Sequence, residues 1–187
     1  MTARKLPINS AKERCVRTYT RDARNRLTSI VAGLATVGSF QYDGFGRRAT
    51  NGNTGFLYDG VNLVQEVTAS TPTANLLTGL GVDEIFSRTD TPGSHHFLTD
   101  AQGNTLALTD SVGFPQTQYT YEPFGATTTP GAPNSNPYQY TGRENDGTGL
   151  YYYRTRYDST YQRFISEDPA RFRGGISFYS YAGERPA

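Results

Sequence analysis

The sequence has no tryptophan and only one cysteine, Cys15, among its 187 residues. A single thiol cannot form a disulfide within the chain, so disulfides are excluded as a source of stability. No stretch approaches the roughly 18 consecutive apolar residues of a membrane-spanning helix. The first 26 residues also lack the apolar segment of a signal peptide. We therefore expect no membrane span, and the sequence leaves the localisation open.

Lysine is scarce as well, since only Lys5 and Lys12 occur among the 18 basic residues. Eight basic side chains fall within the first 26 residues, but the net charge of the whole chain is only +1. No motif of a nucleic-acid-binding fold accompanies them, so we expect no nucleic-acid partner. Residues 1–18 are predicted to form a basic, poorly ordered amino-terminal segment.

Hydrophobic residues make up only 35% of the chain, which is low for a globular domain. Fourteen tyrosines and ten phenylalanines compensate, because aromatic side chains bury large areas. Twenty glycines and many threonines favour strands and turns over helices. The composition therefore predicts an all-β protein.

A short unit recurs along the first two thirds of the chain: an aromatic residue, two further residues, an acid, and then a turn with glycine. It occurs at residues 19–22, 40–43, 56–59, 97–100 and 119–122. Side chains at i and i+2 share one face of a strand, and the acid can accept hydrogen bonds from the turn that follows. Residues 19–137 are thus predicted to form an antiparallel hairpin-repeat sheet, with loops at 70–75 and 127–137.

Residues 138–187 are richer in aromatic side chains. Residues 150–157 are predicted to form one strand, with Tyr152, Arg154 and Arg156 on one face, followed by a hairpin turn around residue 159. Two buried arginines on one face would need partners. Glu144, Asp146 and Glu167 are the candidates.

The carboxy-terminal residues resemble the RHS repeat-associated core domain, and the units before them resemble the YD repeats of the same family. The resemblance extends from about residue 19 onward and is strongest over 138–187. It is carried by Tyr42, Asp43, Gly46, Tyr58, Asp59, Gly142, Arg143, Gly149, Tyr152, Tyr153, Arg154, Arg156, Phe164 and Pro169.

The resemblance implies a β-sheet that spirals into a hollow shell around a toxin polypeptide, with the core domain as a plug. Family members occur in bacterial polymorphic toxins and are exported or secreted. In many of them the core is also an aspartyl self-protease, which would place catalysis at Asp168, with Arg163 nearby. For this chain the implied partners are the remainder of a larger shell or a toxin polypeptide.

The chain departs from the family pattern after Asp168, because no second Asp-Pro pair follows the first. Acid proteolysis needs two carboxylates that share a proton. We therefore expect a structural shell fragment rather than an enzyme. Its sheet should be curved and open rather than a closed cocoon, with edges able to self-associate.

Two other functions stay open. The first is residual self-cleavage at Asp168, which an unchanged intact mass of both the wild type and Asp168→Asn would exclude. The second is a module that binds carbohydrate or peptide in an aromatic groove. His95 and His96 are neighbours and should diverge on a strand, so we expect neither a metal nor a cofactor.

Overall fold

The computed structural model describes residues 16–91, 93–166 and 179–181. The described chain is nearly all antiparallel β-structure, which confirms the predicted fold class. Its main element is an open sheet of eleven strands in which every strand pairs with the next one along the chain. These strands are β1 (Arg17–Arg21), β2 (Leu27–Ala32), β3 (Ala35–Tyr42), β4 (Arg48–Asn51), β5 (Thr54–Asp59), β6 (Asn62–Thr68), β7 (Thr71–Thr78), β8 (Ile85–Asp90), β9 (Gly93–Thr99), β10 (Thr105–Thr109) and β11 (Pro115–Gln118).

Two smaller sheets follow the main sheet. A two-stranded ribbon consists of β12 (Thr120–Tyr121) and β13 (Thr127–Thr128). A four-stranded sheet consists of β14 (Glu144–Asn145), β15 (Leu150–Tyr152), β16 (Arg156–Asp158) and β17 (Arg163–Phe164). A single 3-10 turn at Tyr140–Gly142 is the helical element of the described residues.

A five-residue turn with an acid at its first position joins several of the strands. At Asp100 the side-chain Oδ1 accepts hydrogen bonds from the backbone N–H groups of Gln102 and Asn104, both at 2.9 Å. Oδ2 accepts a third bond from the Asn104 side chain at 2.8 Å. The turn closes when Gly103 N–H donates to the Asp100 carbonyl, and Gly103 has a φ of 79°, where glycine is favoured.

The same backbone pattern recurs at Asp22, Asp43, Asp110 and Glu122. In each case the acid's N–H donates to the carbonyl four residues later, and its carbonyl accepts from the N–H three residues later. Asp59 differs, because β5 and β6 pair directly from Asp59 to Asn62 across a two-residue turn. Its side chain is exposed. The repeated sequence unit at residues 56–59 is therefore followed by a two-residue turn, whereas the other acids named here begin a five-residue turn.

The predicted loop at residues 70–75 is wrong, because β7 begins at Thr71 and pairs with β6. Pro72 is accommodated beside a register shift between Glu66 and Val67, and bulges are places where a sheet tolerates proline. The turn itself is only Ala69 and Ser70, at φ values of 49° and 65°. A two-residue turn of positive φ normally uses asparagine or glycine, so neither Ala69 nor Ser70 marks this turn by residue type.

The buried apolar side chains form two clusters. Leu27, Ile30 and Phe40 of the main sheet pack with Leu150. The other cluster is aromatic and consists of Tyr140, Tyr151, Tyr157, Phe164 and Tyr181. The residues from 138 onward thus supply part of one core and all the buried members of the other.

We predict that Asp100→Ala lowers the free energy of unfolding by about 1 kcal/mol, as loss of a comparable capping acid does in helices. Three N–H donors lose their common acceptor in this variant. Asp59→Ala is the matched control and should change stability by less than about 0.5 kcal/mol. Urea unfolding of both variants measures the difference, and equal losses would contradict the role of the five-residue turn.

The same turns predict a loss of stability in acid. Burial by itself raises the pKa of Asp100, but the hydrogen bonds from Asn104 and Gln102 outweigh it and place the pKa below its ordinary value. The stabilisation is therefore complete above the unfolded pKa of about 3.9 and is lost as the pH falls through the folded pKa. The stability difference between wild type and Asp100→Ala, measured in urea, should shrink as the pH is lowered from 6 towards 2. A constant difference would contradict this assignment.

Candidate functional site at the face covered by the carboxy-terminal block

Residues 138–166 and 179–181, here called the carboxy-terminal block, lie against one face of the eleven-stranded sheet. Hydrogen bonds and ion pairs connect them to strands from one side of the sheet to the other. These contacts are Arg17 Nη1 to the Thr148 carbonyl (2.7 Å), Arg21 Nη2 to the Ile165 carbonyl (2.5 Å), Arg48 to Glu144, Tyr138 Oη to Glu66 (3.2 Å) and Thr105 Oγ1 to the Tyr138 carbonyl (3.0 Å).

Two buried arginines form the centre of this contact. Arg48 of β4 and Arg156 of β16 are each only 1% exposed. Arg48 pairs with Glu144, and Arg156 Nε donates to Asp146 Oδ2 at 2.9 Å. Burying a guanidinium costs several kcal/mol unless a carboxylate compensates it. Asp146 is thus the partner of Arg156, as predicted, whereas Glu144 pairs with Arg48 rather than with Arg154 or Arg156, and Arg154 is exposed.

Aromatic rings lie beside the same two guanidinium groups. The Arg48 guanidinium carbon is 4.8 Å from the ring centre of Phe56 and 4.5 Å from that of Tyr152. The Arg156 guanidinium carbon is 4.4 Å from Tyr152 and 4.3 Å from Phe40. Rings and cations therefore alternate from β5 through the block to β3. Such contacts are worth about 2 kcal/mol or more when they are desolvated.

Burial, together with the neighbouring positive charge of Arg156, lowers the pKa of Arg48 to about 10. Arg48 therefore remains protonated at neutral pH and keeps its charge for Glu144. Tyr58, whose hydroxyl donates to the Arg48 carbonyl at 2.9 Å, has its pKa raised to about 12 by burial. At neutral pH the Arg48 guanidinium is therefore charged and the Tyr58 hydroxyl is neutral.

A second buried network lies further along the sheet. Arg88 of β8 binds Glu66 at 2.9 Å and also pairs with Asp90. Ser135 donates to Asp90 at 2.6 Å, and Tyr138 donates to Glu66. Burial alone would lower the pKa of Arg88, but the charge and hydrogen bonds of Glu66 and Asp90 raise it.

The aromatic cluster is held by hydroxyl groups that donate to backbone carbonyls. Tyr157 donates to Phe124 at 3.0 Å, and Tyr140 donates to Pro123 at 2.9 Å. The Tyr157 and Tyr181 ring centres are 4.5 Å apart. Burial raises the pKa of Tyr157, so its hydroxyl stays protonated and able to donate. The cluster thus combines ring packing with satisfied polar groups.

The prediction of one strand over residues 150–157 is wrong. β15 ends at Tyr152 and β16 begins at Arg156, and the two pair antiparallel with Tyr152 opposite Arg156. The chain reverses at Arg154, which has a φ of 64° and is exposed. Alternating tyrosines and arginines fit a strand, so nothing in the pattern marks the reversal. The predicted second turn, before β17, is present.

Several other residues of the family pattern lie where the block meets the sheet. Arg143 pairs with Asp83, and its guanidinium lies 5.0 Å from the Tyr153 ring centre. Gly142 has a φ of 67°, and a Cβ there would come within 3.0 Å of the Asp83 carbonyl oxygen. Glycine is the residue that adopts this positive φ without strain and has no Cβ to approach the Asp83 backbone.

The remaining pattern residues have local roles. Tyr42 Oη donates to the Leu27 carbonyl at 2.8 Å, and Arg47 Nε donates to Asp43 at 2.7 Å. Phe164 belongs to the aromatic cluster. The remaining glycines of the pattern, at positions 46 and 149, have φ values of 84° and 89°.

Of the two predicted catalytic residues, the described part of the chain contains Arg163 alone. Arg163 is exposed on β17, with its guanidinium 5.4 Å from the Tyr179 ring centre. Asp168, its neighbour Glu167 and Pro169 lie outside the described residues. Self-cleavage at Asp168 therefore stays a prediction.

His95 Nε2 lies 3.8 Å from Asp90 Oδ1, and His96 is exposed. Over residues 16–91, 93–166 and 179–181, no group of three histidine, cysteine or acidic side chains could hold a metal ion. Within the same ranges no helix has the length and apolar character needed to cross a membrane.

Arg48, Arg88 and Glu66 were missed by the sequence analysis. Arg47 and Arg48 are adjacent, yet Arg47 caps a turn while Arg48 is buried. β4 begins at Arg48 and Arg47 belongs to the preceding turn, so no residue pattern in the sequence distinguishes the two neighbouring arginines.

No family model matches the chain. Among curated proteins it is similar to the tRNA3(Ser)-specific nuclease WapA of Bacillus spizizenii and to the tRNA nuclease WapA of Bacillus subtilis strain 168. Each is 30% identical over 186 residues, which covers 90% of this chain and 8% of the relative. The chain thus spans only a small part of the curated proteins that it matches.

Solved structures with a similar fold come from toxin complexes. TcdB2-TccC3-Cdc42 has a TM-score of 0.71 at 21% identity, and TcdB2-TccC3 has 0.68 at 20%. A Tc holotoxin pore of Photorhabdus luminescens has a TM-score of 0.70 at 19% identity. In all three the match covers 91% of this chain and 10% of the solved chain. At these identities the likeness establishes the fold.

We predict that Arg48→Ala lowers the free energy of unfolding by about 3–5 kcal/mol, because it leaves Glu144 buried without its cation. Arg47→Ala is the matched control, since its pair with Asp43 is partly exposed; its loss should be below about 1 kcal/mol. Denaturant unfolding compares the two neighbouring arginines. Equal losses would contradict the assignment of the buried pair.

Proposed function

This chain is an RHS/YD-repeat protein, and we propose that it forms part of a β-sheet shell whose carboxy-terminal block closes against the inner face. The observation that carries the proposal is the docking of that block onto the sheet through the Arg48–Glu144 ion pair and through the Arg156 guanidinium, which lies 4.3 Å from the Phe40 ring centre. A buried ion pair recovers the cost of desolvating its two charges only when both groups are held in a fixed geometry, and removing one partner leaves an uncompensated charge. The fold shared with the toxin-complex chains supports it.

The two edges of the sheet suggest where the rest of the shell would add. At β11 the following chain covers the edge, because Gln118 N–H donates to the Pro130 carbonyl and Ala132 N–H donates to the Gln116 carbonyl. β1 pairs with β2 on one side, and no strand of the described residues pairs with it on the other. An unpaired edge is a template for another strand. We propose that further strands of the shell continue from β1, and that copies of the isolated chain can self-associate there.

We propose that the partner enclosed by the assembled shell is a toxin polypeptide. Two kinds of comparison support this: the curated relatives are named nucleases, and one solved relative is a Tc holotoxin pore. The nuclease names describe proteins of which this chain covers 8%, so that activity is not transferred to it. The role proposed for this chain is structural and needs no catalytic residue among those described.

The test compares the isolated chain with the complete polypeptide encoded by its reading frame. Val16 C=O accepts from Gly33 N–H, so the alternate backbone groups of Arg17 and Tyr19 point away from β2. We expect their amide hydrogens to exchange rapidly in the isolated chain and slowly in the complete polypeptide. We also expect that polypeptide to carry a segment that resists trypsin until the shell is unfolded.

Two results would contradict the shell proposal. One is rapid exchange at Arg17 and Tyr19 in both forms. The other is a reading frame that encodes neither further Tyr-Asp repeats nor a protected polypeptide. Ile30, which pairs with β1 on one side of β2 and with β3 on the other, provides an internal reference for the exchange rates.

A further inference from the structure

A cavity of about 320 Å³ lies between two neighbouring turns of the main sheet. The turn that joins β7 to β8 and the turn that joins β9 to β10 form two of its sides, and residues 138, 141 and 142 of the carboxy-terminal block form another. This volume lies within the range of small-molecule sites. The side chains that matter below are Glu84, Phe86, Phe97, Thr99 and Asp100, all of which line the cavity.

The equivalent position is filled between two earlier pairs of neighbouring strands. Arg26 immediately precedes β2, and its guanidinium carbon lies 4.6 Å from the ring centre of Tyr42, at the end of β3. Arg47 immediately precedes β4, and its guanidinium carbon lies 4.7 Å from the ring centre of Tyr58, near the end of β5. In both cases an arginine ahead of one strand covers a tyrosine at the end of the next.

At the cavity both members of this pair are replaced. Glu84 immediately precedes β8, where the earlier strands have arginine, and Thr99 ends β9, where they have tyrosine. A threonine side chain is much smaller than a tyrosine ring, and the carboxylate has the opposite charge to a guanidinium. The two replacements therefore leave open space and place a negative charge beside it.

The carboxylates at the cavity are not all neutralised. Asp83 pairs with Arg143, but Glu84 and Asp100 have no ion pair within the described residues. Glu84 is exposed, and its Oε2 accepts a hydrogen bond from Gly81 N–H at 3.0 Å. Asp100 is half-buried and accepts the hydrogen bonds of its own turn, all of them from neutral groups. Two negative charges thus lie at the cavity without a cation.

Aromatic surface lies beside these charges. Phe86 is 50% exposed and Phe97 is partly exposed, and no arginine among the described residues lies over either ring. Elsewhere an aromatic ring together with an acid is the environment in which this chain holds its own arginines. Five of them lie beside a ring and pair with an acid, namely Arg26, Arg47, Arg48, Arg143 and Arg156. The cavity offers the same ring and acid but contains no arginine.

We propose that this cavity binds a guanidinium group on a short apolar stem, with its charge toward Glu84 and Asp100 and its stem against Phe86. A guanidinium suits this environment because it pairs with carboxylates through several N–H groups and also stacks on rings. The same group can come from a free alkylguanidine or from an arginine side chain of another polypeptide. The inference does not depend on the shell proposal, because every group it uses lies within this chain.

The experiment titrates the complete 187-residue chain with n-butylguanidinium, with its neutral isostere n-butylurea and with the blocked peptide acetyl-Ala-Arg-Ala-amide, and follows amide shifts by NMR. We expect the guanidinium compound or the peptide to bind with a Kd on the order of 5 mM. n-Butylurea lacks the charge and should bind about fivefold more weakly. Shifts should concentrate at Glu84, Phe86 and Thr99. The tighter of the two cationic probes identifies the source as a free guanidine or a polypeptide.

Single variants separate the contributions of the charge and the ring. Glu84→Gln keeps an acceptor for Gly81 N–H but removes the charge, and should weaken binding of the cationic probe by about 2- to 5-fold. Glu122→Gln is the matched control, because Glu122 is an exposed acid that does not line the cavity, and it should leave binding unchanged. Phe86→Leu keeps an apolar side chain without the ring, and should weaken binding of the cation by about 2- to 3-fold but not that of n-butylurea.

A double variant tests the origin of the cavity. Glu84→Arg combined with Thr99→Tyr introduces the pair that Arg47 and Tyr58 form at the equivalent positions. We expect this variant to fold and to bind the cationic probes at least about tenfold more weakly, because its own guanidinium occupies the cavity. A folded double variant that binds as tightly as the wild type would overturn the proposal. So would equal affinities for n-butylguanidinium and n-butylurea, unchanged affinity in Glu84→Gln, or no binding of either cationic probe at about 50 mM.

Discussion

Two arginines that no water can reach hold this structure together. Arg48 and Arg156 lie between the sheet and the carboxy-terminal block, and each is compensated by an acid of the block, Glu144 or Asp146. Arg48 and Glu144 come from the two sides of this contact, and neither can stay buried without the other, because an unpaired buried ion costs several kcal/mol. The sheet therefore requires the block, and the block requires the sheet. Phe40, Phe56 and Tyr152 enclose the guanidinium groups and exclude water from them.

The turns matter because they fix which residues face the block. A slip of one residue in a strand moves its side chains to the opposite face. The five-residue turn at Asp43 sets where β4 begins, and with it which of Arg47 and Arg48 is buried. The acid of that turn is paired with Arg47, which leaves Arg48 for the inner face. Local turn chemistry and the distant ion pair thus depend on the same register.

Much of the architecture could be predicted from the sequence, because aromatic residues two apart before an acid and a glycine are a strong strand-and-turn signal. Asp146 could also be predicted as a partner of Arg156, since a buried arginine requires one, but the pairing of Glu144 with Arg48 could not. The reversal at Arg154 could not be predicted, because its positive φ is imposed by packing rather than by residue type. Nor could the turn at Ala69 and Ser70, which uses neither glycine nor asparagine. Pairing across 96 residues, as between Arg48 and Glu144, is a tertiary property that a local pattern does not encode.

The central claim is that the block is docked on the sheet with Tyr152 beside both buried arginines. Nuclear Overhauser contacts from the Tyr152 ring protons measure this directly in solution. The structure predicts contacts to the Arg156 side chain, opposite Tyr152 in the same hairpin, and to the Arg48 side chain of β4. Replacing Arg48 by alanine should remove the second set and leave the first. A folded chain in which the Tyr152 ring shows contacts only to its own hairpin, and none to β4, would contradict it.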